Sequence, residues 1–291
     1  MDKDFGIEVS VEGIELVREN VERLKISSIE GLCAANLNNP LTSRDASWYK
    51  SHILDEMIKR KEISDGFNSP YDDRKMRLDY TSIKDGVLKI ALGFSHYNAF
   101  RTDLDNSYDK NEFLKKIGIE KFNDRWAFFS RAPGVLGLII SNEGSIFLGE
   151  RLQKEYSGLL NSVAGHIDYK EHPSLINLEE NVLRETNEEV GISPEEILKI
   201  VFVGGYLNIN CGDMDFAHLV FTNKPNKYFL SGEWAKKINE REHKSLFELS
   251  SYREVQDLLC NGRLPNNKKK YNVMYSTRGA LQSLKKEELA N

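Results

Sequence analysis

Cysteine is scarce in this 291-residue chain: Cys33, Cys211 and Cys260 are the only three. They lie far apart, are odd in number and form no CxxC pair, which excludes a disulfide framework and a zinc knuckle. Three reduced thiols in a cytosolic protein is the matching expectation. No run approaches the roughly 18 apolar residues that span a bilayer. The start, MDKDFGIEVSVEGIEL, has no basic region followed by an apolar stretch, so neither a signal peptide nor a membrane partner is expected. Neither sign of charge dominates, with 40 Lys+Arg against 45 Asp+Glu and a net charge of −5. That balance excludes a strongly basic nucleic-acid binder, though not a local basic patch. The run Lys268-Lys269-Lys270 is ordinary solvated charge on this reading, and no nucleic-acid partner is expected. Repeats and low-complexity stretches are lacking too. A soluble, cytoplasmic protein results, as a monomer or homodimer.

What is present is a real core. Hydrophobic residues make up 40% of the chain, enough to exclude general disorder. The length accommodates two domains at roughly 100–200 residues each. Residues 5–12 read as a strand, and apolar spacing at Ile14, Val17, Val21 and Leu24 predicts a helix over 13–25. A second helix is expected over 46–61, a loop over 66–75, and a hairpin over 78–94 turning at Lys84-Asp85-Gly86. A second half begins near Trp126. Its strand-like runs are 134–141, 145–150, a short piece ending at Val163-Ala164-Gly165, 199–209 and 214–222. Helices are expected at about 174–190 and, last in the chain, at 251–261. Strands on both sides of one polar helix point to a mixed α/β or α+β layer fold. The division is an N-terminal α+β region, 1–128, and a second domain, 129–291.

The chemistry concentrates in GHIDYKEHPSLINLEENVLRETNEEVGI, residues 165–192. On a helix ending at Gly191, Glu185 and Glu189 lie four apart and Glu188 lies three from Glu185, so three carboxylates share roughly one face. Like charges at that spacing destabilise a bare helix. A hard divalent cation among them reverses the sign, and carboxylate oxygens suit Mg²⁺ or Mn²⁺. Arg184 can hold a further carboxylate, with Glu180 one turn earlier as the local candidate, and Gly191 is placed for a left-handed cap. A solvated acidic face is the ordinary reading of any Glu-Glu pair alone. Arg-Glu, Glu-Glu and a terminal Gly together are more specific.

RETNEEVGI (184–192) resembles the second half of the Nudix box, G-x5-E-x7-R-E-U-x-E-E-x-G-U, and Gly165 with Glu171 reproduces the first half. Twelve residues separate Glu171 from Arg184 instead of seven, a five-residue insertion, and Thr186 stands where an aliphatic residue is usual. The resemblance implies an α/β/α sandwich with a mixed sheet, and hydrolysis of a nucleoside diphosphate linked to another moiety. It also implies that Glu185, Glu188 and Glu189 ligate Mg²⁺ or supply a base, that the Gly165 carbonyl completes the metal shell, and that Arg184 orients the carboxylates. A narrower series covers most of the chain: GFSHYNAFRTDL (93–104), APGVLGLIISNEGSIFLGERL (132–152), the long-insert box and KYFLSGEWAKKINEREHKSLFEL (227–249). It is similar to animal Nudix hydrolases acting on UDP-glucose and UDP-galactose, and implies the products UMP and sugar 1-phosphate. Two other readings keep the fold. One is hydrolysis of ADP-ribose, a dinucleotide or a nucleoside triphosphate; the other is a silent nucleotide sensor, for which the complete set of acids speaks against.

Substrate candidates follow from position. Tyr97, Asn98, Phe100 and Arg101 sit just after an apolar strand, where an aromatic can stack on a base and Arg101 can pair with phosphate. Arg151 and Lys154 precede the box and are candidate phosphate contacts, against the alternative of solvated charge. Glu242 and His243 fall in NEREHKS, read as a polar loop; Glu242 is the candidate extra base or metal ligand, an exposed helix-end charge being the alternative. His166 is a candidate supporting hydrogen-bond donor. His52, His96, His172 and His218 have no ligand spacing, so a histidine metal site is not expected.

Overall fold

The computed structural model describes residues 6–8, 13–16, 74–84, 87–122, 124–152, 156–170 and 176–284. The expected helix over 46–61, Glu171 and Lys154 lie outside them. A large mixed sheet runs in the order β1 (Gly6–Glu8), β9 (Ile197–Leu207), β10 (Met214–Thr222), β5 (Pro133–Ile140), β6 (Ile146–Arg151) and β11 (His243–Leu249). Two short strands join it: β7 (Leu160–Asn161) pairs with β6, and β8 (Val163–His166) with β5. The β10–β5 pair is parallel and its flanking pairs are antiparallel. A smaller sheet holds β2 (Gly13–Leu16), β4 (Val87–His96) and β3 (Arg74–Lys84) in that order.

Strand β5 shows why the sheet is covered on both sides. Every one of its residues is buried, and alternate side chains of a strand point to opposite faces. Val135 and Ile139 join the apolar cluster of Val182 and Val190, on helix α3 (Leu178–Val190). Leu136, Leu138 and Ile140 join Val255 and Leu258 of α5 (Tyr252–Asn261) and Ala280 and Leu281 of α6 (Tyr275–Ser283). Two cores, one on each face, make the α/β/α sandwich. Gly137 adjusts the spacing: a Cβ there would lie 2.9 Å from Val163 and 3.2 Å from Val182, so glycine lets α3 sit close to the sheet.

The N-terminal hairpin shares the first of these cores. Met76, Leu78, Leu88, Ile90 and Leu92 belong to the same cluster as Val135 and Trp234. Fully buried Arg77 donates from Nε to the Phe129 carbonyl (3.1 Å) and from Nη2 to that of Trp126 (3.0 Å). The Leu78 N–H donates to the Arg131 carbonyl.

Several elements differ from the periodicity reading. Gly13–Leu16 is a strand rather than the start of a helix, paired in parallel at Ile14↔Leu88 and Leu16↔Ile90; partner strands override local spacing there. Arg74 and Lys75 open β3 instead of closing a loop, and His243 opens β11 instead of lying in one. Helices α1 (Tyr97–Asp105), α2 (Tyr108–Phe122) and α6 carry no marked sequence signal, and α5 is therefore not the last helix. The short helix α4 (Asn226–Leu230) completes the set among the described residues. The hairpin and the strands of the second half fall within a few residues of expectation.

Candidate active site

Helix α3 is built to present its acids. Asn177 caps it, its side chain accepting from the N–H groups of Glu179 and Glu180, and Gly191 ends it at φ 64°. Thr186 fits the buried face by donating its hydroxyl to the Val182 carbonyl at 2.7 Å, so the hydroxyl is satisfied within the helix. Arg184 gathers the acids. Its Nη2 lies 2.7 Å from Glu185 Oε1, its Nη1 2.9 Å from Glu188 Oε2 and its Nε 3.2 Å from Asp168 Oδ2. Nη2 also donates to the His166 carbonyl. The outside carboxylate is therefore Asp168 and not Glu180, which instead accepts from Asn177 at the cap.

Glu185, Glu188, Arg184 and Gly165 line one cavity of about 330 Å³, and Glu242 lines it from the segment before β11. Tyr97, Phe100 and Arg101 of α1 and Arg151 of β6 close it. Gly165 faces Glu185 so closely that a Cβ would fall within its carboxylate. Arg151, 9% exposed, pairs with Glu242 at 3.2 Å. Phe100 meets the His166 ring edge-on at 4.3 Å. Burial, with Lys75 and Arg151 nearby, pushes that imidazole down to about 3, so it is neutral.

Glu189 is placed differently. It does not line the cavity; it lies behind it, 1% exposed, with Oε2 2.6 Å from Nε2 of the equally buried His243. Oε1 accepts the Ala164 N–H at 2.9 Å. A Cβ at Gly149 would enter the His243 ring, so that glycine makes room for the pair.

Electrostatics mark the carboxylates as a group. Burial and the charge of Glu189 push the Glu185 carboxyl up to about 8, with Glu188 and Glu242 adding and Arg184 opposing. A buried carboxyl raised by neighbouring acids is the kind of crowding that a divalent cation relieves. Among the described residues no three His, Cys, Asp or Glu side chains stand already gathered for a metal.

Residues 130–270 match the family model of the NUDIX domain. This segment is a NUDIX domain. Among curated proteins none matches the chain. Solved structures similar to it include an Ap4A hydrolase from C. elegans, at 14% identity over 52% of this chain and 93% of that one, TM-score 0.33. Others are the NUDIX domain of Shewanella oneidensis NrtR complexed with ADP ribose (15% identity, 58% and 94% covered, TM-score 0.34) and the Bacillus subtilis pyrophosphohydrolase BsRppH (16%, 54% and 82%, TM-score 0.32).

The NUDIX cavity also contains residues that sequence reasoning did not select. Asn161, Asp213, Asp215, Tyr156 and Tyr275 form part of its wall. One signal existed: in CGDMDF (211–216) two acids lie two apart at a strand start, which sends both to one face.

Proposed function

We propose that the protein is a metal-dependent pyrophosphohydrolase that cleaves UDP-glucose or UDP-galactose to UMP and a sugar 1-phosphate, with residues 129–291 as the catalytic domain and 1–128 completing the pocket. The observation that carries it is the convergence of Glu185, Glu188 and Glu242 with Arg184, Arg151 and Arg101 on one cavity. A pyrophosphate is multiply anionic, so water attack on phosphorus is opposed mainly by charge. Arg101 and Arg151 offset that charge, as does a divalent ion held by Glu185, Glu188, Glu242 and the Gly165 carbonyl. Once bound, such an ion supplies neutralisation of phosphoryl oxygens and acidifies water. Arg184 holds Glu185 and Glu188 in register, and Glu242 or Glu185 takes the proton of the attacking water as the bridging P–O bond breaks. The sugar-nucleotide assignment rests on the order of motifs along the chain.

A hydrolysis panel with Mg²⁺ or Mn²⁺ tests this reading. UMP and hexose 1-phosphate are the expected products from a UDP-hexose. AMP and ribose 5-phosphate from ADP-ribose, with UDP-sugars untouched, would replace the substrate while keeping the chemistry. Glu188→Gln is expected to abolish turnover with little loss of folding; full activity at saturating metal would remove the metal role.

A further inference from the structure

The carboxylates of α3 leave a second set of polar groups in the same cavity without a task. Asn161 is fully buried, on β7. Its Oδ1 accepts the Thr277 hydroxyl. The Thr277 oxygen also accepts the Ser162 N–H, which ties the threonine to the same strand end. The other end of the amide, Asn161 Nδ2, has no hydrogen-bond partner among the described residues. A buried, unpaired amide N–H costs roughly 1–3 kcal/mol, and here it borders the cavity. Two carboxyls, one just before β10 and one within it, line the same cavity. Asp213 is buried, accepting the Ala132 N–H (3.0 Å) and the Cys211 thiol (3.0 Å). Asp215 lies over Gly134, where a Cβ would strike its carboxylate.

Aromatic groups complete this lobe. Tyr275 opens α6, and Tyr156 adopts φ 60°, in the left-handed region that non-glycine residues rarely occupy. Strain of that kind needs surrounding structure to hold it and collects at ligand sites. Burial and the charge of Asp215 raise the Asp213 carboxyl, whereas Glu185 responds to burial, Glu189, Arg184, Glu188 and Glu242. Arg151 links the two sets, pairing with Glu242 and acting on Asp215.

Besides the Asn161 amide, the lobe offers the remaining acceptor positions of two carboxyls, Asp215 already taking hydrogen bonds from Ser276 and Tyr275, and two tyrosines in its wall. A phosphate, which presents only acceptor oxygens when ionised, gains little from two further carboxyls. A pyrimidine presents one N–H to two carboxyls. A sugar ring presents several hydroxyls, each able to donate to a carboxyl while accepting from an amide, and its C–H faces suit aromatic rings. We propose that Asn161, Asp213 and Asp215, with Tyr156 and Tyr275, form the subsite for the polyhydroxylated ring at the non-nucleotide end of the substrate. This deepens the reading of the cavity as a nucleotide-sugar site and rests on it.

Binding of two uncleavable ligands separates the subsite from the chemistry. Both are UDP analogues with methylene in place of the bridging oxygen; one carries glucose on the terminal phosphonate and the other only a methyl ester. Calorimetry on the full chain is expected to show wild type binding the glucosyl analogue about tenfold or more tighter. Asn161→Asp, which keeps Oδ1 for Thr277 and removes the donor, is expected to erase that preference. Asp215→Asn is a second variant with a different packing risk, and is expected to reduce it. Equal affinity of wild type for the two ligands overturns the proposal without any variant being needed. A preference that survives in both folded variants overturns it as well. If the preference appears but no diphosphate is cleaved with Mg²⁺ or Mn²⁺, the hydrolase reading fails and the subsite stands.

Discussion

A missing side chain shapes the site at Gly165. A Cβ there would occupy the position of the Glu185 carboxylate. Gly165→Ala is therefore expected to displace Glu185 and lower kcat by about 10²-fold, the cost of an ångström-scale misplacement. Steady-state kinetics beside a thermal melt would separate this from unfolding, which should change little because residue 165 borders a cavity. Asp213 yields a prediction of another kind. Burial, with Asp215 adding, pushes its carboxyl up from 3.8 to about 7 despite hydrogen bonds from Cys211 and Ala132. Between those values the unfolded chain has lost the proton and the folded protein keeps it. Stability from this group is thus full below about pH 4 and declines as pH rises through 7. Buried His166 and His218 are depressed to about 3 and about 4, and act with the opposite sign as pH falls below 6.5. The contribution of Asp213 is therefore read as the difference between wild type and Asp213→Asn in denaturant midpoints across pH 4–8. That difference should shift steadily in the variant's favour toward pH 7, and a flat difference would refute the assignment.

Among the elements, β11 and α3 are joined by one pair. His243 from the edge strand meets Glu189 from the helix, and Glu189 in turn holds the Ala164 N–H beside Gly165. Removing the imidazole leaves a buried carboxylate short of a partner, which costs about 1–3 kcal/mol. His243→Ala should accordingly lower the melting temperature by several degrees, at roughly 2–4 °C per kcal/mol for a domain of this size. The same pair explains why Glu189 and Glu188, neighbours in sequence, have different surroundings. One step along a helix turns a side chain by about 100°, so Glu188 reaches the cavity while Glu189 reaches the strand behind it. The acids and their helix were legible from RETNEEVGI. The partners Asp168, 16 positions earlier, and His243, on a strand far downstream, were not, because neither shares local periodicity with the helix.

Across the whole molecule, the N-terminal hairpin and the NUDIX domain are not energetically separate. Five hairpin residues lie in the core cluster that also holds α3. Arg77 supplies two hydrogen bonds to the carbonyls of Trp126 and Phe129, at the place where composition and motifs suggested a boundary. A fragment spanning 129–291 would expose the apolar surface that Met76, Leu78, Leu88, Ile90 and Leu92 cover. It is expected to unfold at lower denaturant than the full chain, with a broader transition; an equally stable fragment would show the hairpin to be dispensable. Arg77→Ala should weaken the same junction by about 1.5–3 kcal/mol, the scale for hydrogen bonds to a charged group, measurable by chemical denaturation.

By itself the sequence determined what depends on neighbours along the chain. A near-continuous apolar run marks β5, three- and four-residue spacing sets acids on one helix, and glycine ends that helix in the left-handed region. Such a run also implies two covered faces, because a strand apolar throughout has side chains pointing both ways. Tertiary structure alone decided which of those groups meet. It drew Glu242 and Arg151 to the cavity, sent Glu189 to His243, and placed Asn161 in one cavity wall with Asp213 and Asp215. Such contacts join residues far apart along the chain, as in Lys269–Glu150, 119 positions apart. They arise from sheet order and burial of apolar faces, which the whole chain sets together, so no local window contains them.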